Sequence, residues 1–412
     1  TQVKTRSKMF CGCPADVFGR DPNLATCPVC LGLPGALPVP NARAIKKTVS
    51  LAKALGCEIA RFSHFERKNY FYPDLPKGYQ ISQYAEPIGR SGKLGGVRIQ
   101  RVHLEEDTGR LLHEGPLTLV DFNRSGIPLI EIVTEPEFSD PSAVISFLKE
   151  LRTLLIHLEV SNADMEKGSL RLEANISLRK VGERGLPPYR VELKNINSFT
   201  FLEKALRNEI ERQALLLNRG EKIAQETRGF DERKGVTVFQ RRKEEAFDYR
   251  YFPEPDLPPL TRRILVSEGK LRTPEEVRSI YLSLGLSPQS AAVLIADRQL
   301  AAIFEKLRKK IPPSEAANII VNKRFGDPRK LGVGKIVSAY LSQKEKGIIS
   351  RSELKAAAEK VILEQPLAVR DYKRGKEPVL QFLLGQLMRL TGGRIRPEEG
   401  REALKRAIHD RN

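Results

Sequence analysis

Two close pairs of cysteines, Cys11-Gly12-Cys13 and Cys27-Pro28-Val29-Cys30, open the chain and are joined by a loop bearing proline, glycine and aspartate. Four thiols at this spacing read as a tetrahedral metal site, in which Zn²⁺ supplies the charge that lets four thiolates share one place. The chain's own sulfurs would fill every position on the ion, so the site reads as structural rather than catalytic. Two disulfides are the alternative at the same spacing. A length of 412 residues, a start without a charged segment leading into an apolar one, and only one further cysteine, Cys57, all favour zinc. Cys57 follows Gly56, the expected end of a helix running from Asn41, and is expected to pack in a core.

Lys and Arg exceed Asp and Glu, giving a formal charge of +19 and a pI near 9.7, and the excess is spread along the chain. Such a field attracts polyanions, with nucleic acid the leading partner. A surface rich in ion pairs, as thermostable proteins carry, is the competing explanation. No hydrophobic run approaches the roughly 20 residues needed to cross a membrane. The expected location is the cytoplasm, or the mitochondrial or plastid matrix.

Up to about residue 260 strand-like runs alternate with a few amphipathic helices. Val97 to Leu104, Leu170 to Leu178 and Tyr189 to Leu193 alternate, and Asp121 to Val133 reads as one apolar run with a single interruption. Asp140-Pro141 supplies a cap and an N1 proline for a helix whose apolar stripe includes Phe147, Leu151 and Leu155, and a second helix spans about Leu202 to Leu217. Helices inserted irregularly among strands predict an α+β domain. The proline-dense stretch Phe252 to Pro259 cannot continue either element and marks a boundary. Beyond it the pattern is helical, with starts at Ser287-Pro288, Pro313-Ser314, Ser350 to Glu353 and Arg396-Pro397 and a stop at Gly392-Gly393. Three domains are expected: 1–260, a helical linker domain 261–347 and a helical tail 348–412.

Two glutamates break apolar strand patterns. In Val102-His103-Leu104-Glu105-Glu106-Asp107, alternation puts Val102, Leu104 and Glu106 on one face and His103 and Glu105 on the other; Glu131 shares a face with Leu129 and Val133. A carboxylate on a buried face needs an ion pair, a hydrogen bond or a metal. Glu106 and Glu131 on nearby strands could serve a hard cation such as Mg²⁺. Alternatively Glu106 reaches solvent at its strand end and Glu131 pairs with an arginine. The segment Arg67 to Tyr79 interleaves cations, aromatics and amides, and there Lys68 could clamp a phosphate while the aromatics stack on a base. A surface loop anchored in the core by those rings fits the same residues. Lys194 to Phe199 and Asp248 to Phe252 are similar clusters, and Glu173 and Asn175 share one face of their run. GxxxxGK[ST], GxGxxG and GxSxG are all missing, which disfavours a P-loop kinase and a serine hydrolase.

Taken together, Lys8 to Cys13, Cys27 to Gly35, Arg67 to Asp74, His103 to Asp107 and Asp248 to Asp256 closely resemble the B-subunit family of the aspartyl/glutamyl-tRNA amidotransferases, and the tail around Gly385 to Met388 resembles that family's small helical domain. The resemblance implies a glutamine-synthetase-like cradle domain followed by all-helical linker and tail domains that hold tRNA. It implies ATP-dependent phosphorylation of the side-chain carboxylate of misacylated Glu-tRNA(Gln), or of Asp-tRNA(Asn). Ammonia, channelled from a partner amidase subunit tied on by a small third subunit, then forms the amide. Glu106 and Glu131 match the family's Mg²⁺-binding glutamates, and Lys68 matches a lysine of the active site and channel mouth. Glu173 and Asn195 match polar positions nearby, and Cys11, Cys13, Cys27 and Cys30 match a zinc knuckle. Members usually open with Gly-Leu-Glu-x-His-x-Gln, whose Glu and His belong to the metal site; either the natural chain carries these residues ahead of Thr1, or a protein truly starting at Thr1 has an incomplete set. A zinc-ribbon scaffold that carries tRNA without chemistry is the rival function.

Overall fold

The computed structural model describes every residue except 243–248, 266–271, 346–348 and 410–412, so Asp248 and the boundary expected near Gly347 lie outside the described residues. Two compact units divide the chain, Thr1–Ile280 and Tyr281–Asn412. The first mixes small sheets with helices, and the second is helical, with twelve helices in all among the described residues. None of them is long and apolar enough to cross a membrane.

The helix starts obey local chemistry. Asn41 accepts hydrogen bonds from the amides of Arg43 and Ala44 to cap Ala42–Ala54, and Gly56 just beyond its end takes the left-handed conformation, at φ 68°. Asp140 accepts from Ala143 N ahead of Pro141–His157, and Ser198 accepts from Phe201 N ahead of Phe199–Asn218. On Pro141–His157 the buried face carries Ile145, Phe147, Leu151, Leu154 and Leu155. In the second unit Ser350 and Glu353 close a reciprocal capping box on Arg351–Glu364. That helix packs with Val379–Leu390 and Pro397–His409 around Val361, Ile362, Leu383, Leu387 and Leu404.

The first unit is organised by an antiparallel sheet in the order Glu58–Ile59, Gly89–Leu94, Val97–Glu106, Pro128–Thr134. A second sheet, Leu172–Ile176, Val191–Ile196, Glu226–Asp231 and Val236–Arg242, has one parallel pair in its middle. Both contribute to one core, with Val102, Leu104 and Ile130 from the first and Leu172, Leu193 and Ile196 from the second. The run Asp121 to Val133, expected as one strand, is in fact two. Leu117–Asp121 forms a hairpin with Arg110–Glu114, and Pro128–Thr134 joins the main sheet. The polar turn between them, Phe122 to Ile127, holds Gly126 at φ 84°, a left-handed conformation that suits glycine and turns the chain from one strand toward the next.

Cys57 packs in the core as expected, and burial pushes its thiol up to about 11. It lies against Gly92 of the adjacent strand. A Cβ at Gly92 would press on the Cys57 sulfur and fall 2.8 Å from the carbonyl oxygen of Leu55. Backbone cannot yield as a flexible side chain can. Gly92→Ala is therefore expected to cost about 1–3 kcal/mol, as overpacking does, read as a lower urea midpoint with an unchanged slope. An unaltered midpoint would show that the strand and the helix end can separate freely.

Candidate metal centres and active site

The four cysteines converge. One ligand atom from each of Cys11, Cys13, Cys27 and Cys30 lies within 4.8 Å of the others, and all four are free thiols. The turn Cys27 to Cys30 aims a backbone amide inward, with Cys27 N donating to Cys30 Sγ at 3.2 Å. The Cys11 thiol and then the Lys8 ammonium hold the Cys30 thiol well below the usual range, against burial, which raises it. The same hydrogen bond to Cys30 pushes the Cys11 thiol up, and burial pushes Cys13 up to about 11, so without a cation one sulfur carries the charge for its neighbours. It is the convergence of four free sulfurs that fits a zinc ion.

The second group forms where Val97–Glu106 meets Pro128–Thr134. His103 pairs with Glu131 in register, and Glu105 pairs with Leu129, so His103, Glu105 and Glu131 share one face. His103 Nε2 lies 3.0 Å from Glu131 and 3.7 Å from Glu105. Burial pulls the imidazole pKa down, but the hydrogen bonds to Glu105 and Glu131 outweigh it and leave it raised. Desolvation pushes Glu131 up, yet the His103 hydrogen bond and the charges of His103, Lys68 and Arg101 hold it down to about 2. Glu105 is fixed by Ser82 Oγ at 3.0 Å. His103 Nδ1 is buried without a hydrogen-bond partner. One imidazole nitrogen and two carboxylates whose ligand atoms lie within 4.8 Å of one another form a donor set that fits a divalent cation.

Glu106 lies on the opposite face, paired with Pro128 in register. It is buried, ion-paired with Lys77, and accepts from Ile81 N at 3.0 Å. The structure therefore does not bring Glu106 and Glu131 together, because the two positions differ in pleat parity once the strands are in register. Nor does either follow the alternative reading, since Glu106 is buried and Glu131 faces a histidine. Where the end of Val97–Glu106 lacks a backbone neighbour, side chains take over. Gln83 Oε1 accepts from Leu104 N at 3.0 Å and Gln80 Nε2 donates to Glu106 O at 2.6 Å. The next residue, Asp107, is buried and meets Arg171, Arg124 and the Gln2 amide.

Lys68 lies close enough to lower the Glu131 pKa, and its ammonium sits 4.8 Å from the Tyr249 ring centroid. Tyr249 contacts Tyr251, which stacks on Tyr84 at 4.6 Å and 11°, with Arg101 over the Tyr84 ring. Glu173 and Asn195 belong to the second sheet. Glu173 pairs with Lys194 at 3.2 Å, and Asn195, at φ 58°, bonds Gln240. Among the described residues neither is joined to the His103 group by a hydrogen bond or an ion pair. Sequence reasoning passed over His103, Glu105, Arg101 and Lys77 as site residues. The signal for His103 and Glu105 was present, as both fall on one face by alternation, but the pairing register that sets Glu131 beside them was not.

A strand-borne imidazole and carboxylate group and a four-cysteine knuckle in one α/β unit, followed in the chain by a helical unit, define a two-part protein with two candidate metal centres. The GatB/GatE catalytic domain matches residues 1–268 and the GatB domain matches residues 292–408. The B subunit of the aspartyl/glutamyl-tRNA(Asn/Gln) amidotransferase of Thermomicrobium roseum is 43% identical over 99% of this chain and 96% of its own. Its counterpart in Thermotoga maritima is 43% identical over 96% and 95%, and that in Carboxydothermus hydrogenoformans 40% over 98% and 96%. The chain belongs to the family of aspartyl/glutamyl-tRNA(Asn/Gln) amidotransferase B subunits.

Cys27→Ser should release the metal of the knuckle and lower the melting temperature, since binding energy at such a site is folding energy. Metal analysis of the purified protein checks it, and an unchanged metal content in the variant would remove Cys27 from the ligand set.

Proposed function

We propose that the first unit is the catalytic domain of an ATP-dependent tRNA amidotransferase acting on misacylated Glu-tRNA(Gln), with Asp-tRNA(Asn) as a second substrate. The observation that carries this reading is the convergence of His103, Glu105 and Glu131 beside Lys68 and Arg101. A divalent cation held there, Mg²⁺ on this reading, would screen phosphate charge during phosphoryl transfer. The carboxylates of Glu105 and Glu131 present oxygens and His103 presents a nitrogen, with Ser82 and the strand register fixing their positions. Lys68 and Arg101 offer cations to phosphate oxygens, and Arg101 Nε is buried without a partner to compete for it. The stacked pair Tyr84 and Tyr251 offers a ring face to a base.

On this reading ATP phosphorylates the side-chain carboxylate of the aminoacyl group, and ammonia from a partner amidase subunit displaces phosphate to leave the amide. A small third subunit completes the assembly. Glu106 faces the other side of the strand, where Lys77 and the Ile81 amide fix it, and on this reading it holds the strand end that presents Glu105. Glu173 and Asn195 serve as polar contacts for the aminoacyl end from the second sheet. The knuckle holds a structural zinc. A scaffold that only carries tRNA would have no use for an imidazole buried between two carboxylates, and the catalytic reading is the better one.

In the assembled amidotransferase, His103→Ala and Glu131→Gln should each lower amide formation about a hundredfold or more, as loss of transition-state stabilisation does, while tRNA affinity stays within about twofold. Near-normal turnover in either variant at ordinary Mg²⁺ would overturn the assignment. The helical tail should supply the salt-sensitive part of tRNA affinity through exposed Arg396, Arg401, Lys405 and Arg406. Alanine at Arg401 and Lys405 should weaken binding and reduce the slope of log affinity against log salt by about one for each phosphate no longer neutralised. An unchanged slope would place the tRNA-binding surface elsewhere.

A further inference from the structure

Among the described residues a lysine is one of the largest side chains to be fully buried. Lys8 is 0% exposed, and no salt bridge to a carboxylate is found for it among the described residues. Its ammonium donates to Ala25 O at 2.7 Å and lies 3.5 Å from both Phe122 O and Cys30 Sγ. Two carbonyl dipoles cannot neutralise a full charge removed from water, and an uncompensated buried ammonium is strongly destabilising. The sulfurs are the remaining source of negative charge. Four thiolates around a divalent cation leave a doubly negative centre, which is itself costly to bury without a cation beside it.

We propose that Lys8 is the built-in counter-cation of the four-cysteine centre, neutralising part of its charge and donating an N–H···S hydrogen bond to Cys30; this rests on that centre being a zinc site. The two charges depend on one another, and Lys8 ties the knuckle to the hairpin strand it leans on. Phe122 O belongs to the turn that ends at Gly126, whose amide donates to Asp107 O and whose carbonyl accepts from Met9 N, the residue after Lys8. The Cβ of any larger residue at 126 would fall 3.4 Å from Cys30 Cβ, 3.6 Å from Lys8 Cδ and 3.9 Å from Glu106 Oε2. Those are ordinary contact distances, so space does not exclude a side chain; the φ of 84° is what favours glycine, and the turn it makes brings the metal ligand, the counter-cation and the strand-end carboxylate to one place. Lys8 is thus a positioning residue for the metal centre, and through Gly126 for the end of the strand that carries Glu105 and Glu106.

The test uses the whole protein with its own metal. Zinc content and the rate of transfer to a chromogenic chelator are measured for the wild type and for Lys8→Met, which keeps length and apolar stem but removes the charge. One zinc per chain in both, with transfer about tenfold faster in the variant, is the expected result, the size being that of a lost outer-sphere partner. The cobalt-substituted protein separates charge from packing, because loss of an N–H···S bond shifts the sulfur-to-cobalt charge-transfer band to lower energy and a packing defect does not. Equal transfer rates or an unmoved band would overturn the proposal. A wild type without zinc would instead overturn the reading of the centre. Should Lys8→Met fail to fold, amine labelling of the wild type decides: Lys8 is expected to be protected with zinc bound and labelled after chelation, and protection that survives metal removal counts against the proposal.

Discussion

Four ionisable residues in succession, save one leucine, end a strand that is buried on both faces. His103, Glu105, Glu106 and Asp107 cannot share one set of partners, because alternation sends neighbours in opposite directions. Burial of each charge must be offset separately. One face meets the requirement with His103, Glu131 and the flanking cations, the other with Lys77 and the Ile81 amide, and Asp107 with Arg171, Arg124 and Gln2. The surroundings of the strand follow from this. Tyr79–Ser82 brings Gln80 and Ser82, Gln83 comes next, and the turn Phe122 to Ile127 closes over Asp107.

The knuckle belongs to that arrangement. Lys77, the partner of Glu106, runs its stem into a notch at Gly32, where a Cβ would collide with it. A small cavity of about 210 Å³ lies between the knuckle and the strand Tyr79–Ser82, lined by Val29, Gly32, Pro38, Lys77, Tyr79 and Ile81. Ser125 Oγ donates to Cys30 O at 3.1 Å and Ala25 N donates to the Asn123 side chain at 2.7 Å. Short, polar, glycine-rich segments have little apolar area to bury, and a metal centre is how such segments reach a fixed shape.

Much of this was legible in the sequence where the signal is local. Asn41, Asp140, Ser198 and Ser350 each cap the helix their neighbours announce, because a cap depends on a handful of consecutive residues. The cysteine spacing gave the knuckle for the same reason. Pairing register is not local. Glu106 and Glu131 both interrupt apolar runs and look equivalent in one dimension, yet the pairing of Glu106 with Pro128 and of His103 with Glu131 puts them on opposite faces. The apolar run through Phe122 hid a turn between two sheets, since Asp121 ends a strand paired with Arg110–Glu114 whereas Leu129 to Val133 belong to one paired with Val97–Glu106. Arg101 and Lys77 carry no pattern of their own, and only three-dimensional proximity to carboxylates and aromatic rings gives them meaning.

Electrostatics links the candidate site to the charge of the whole chain. A formal charge of +19 draws polyanions to the surface without choosing a place for them. The His103 group is different in kind, since Glu105 and Glu131 are anionic and would repel a phosphate approaching on its own. Lys68 and Arg101 only balance those two carboxylates. On the proposed reading a divalent cation tips the balance, giving a cluster of about two net positive charges beside the buried His103 and Glu105. Affinity for the nucleic acid can then reside in dispersed cations such as those of the tail, while selectivity for a metal-bound polyphosphate resides in the strand. Separating the two explains why a strongly basic protein would set a buried histidine and two convergent carboxylates together on adjacent strands.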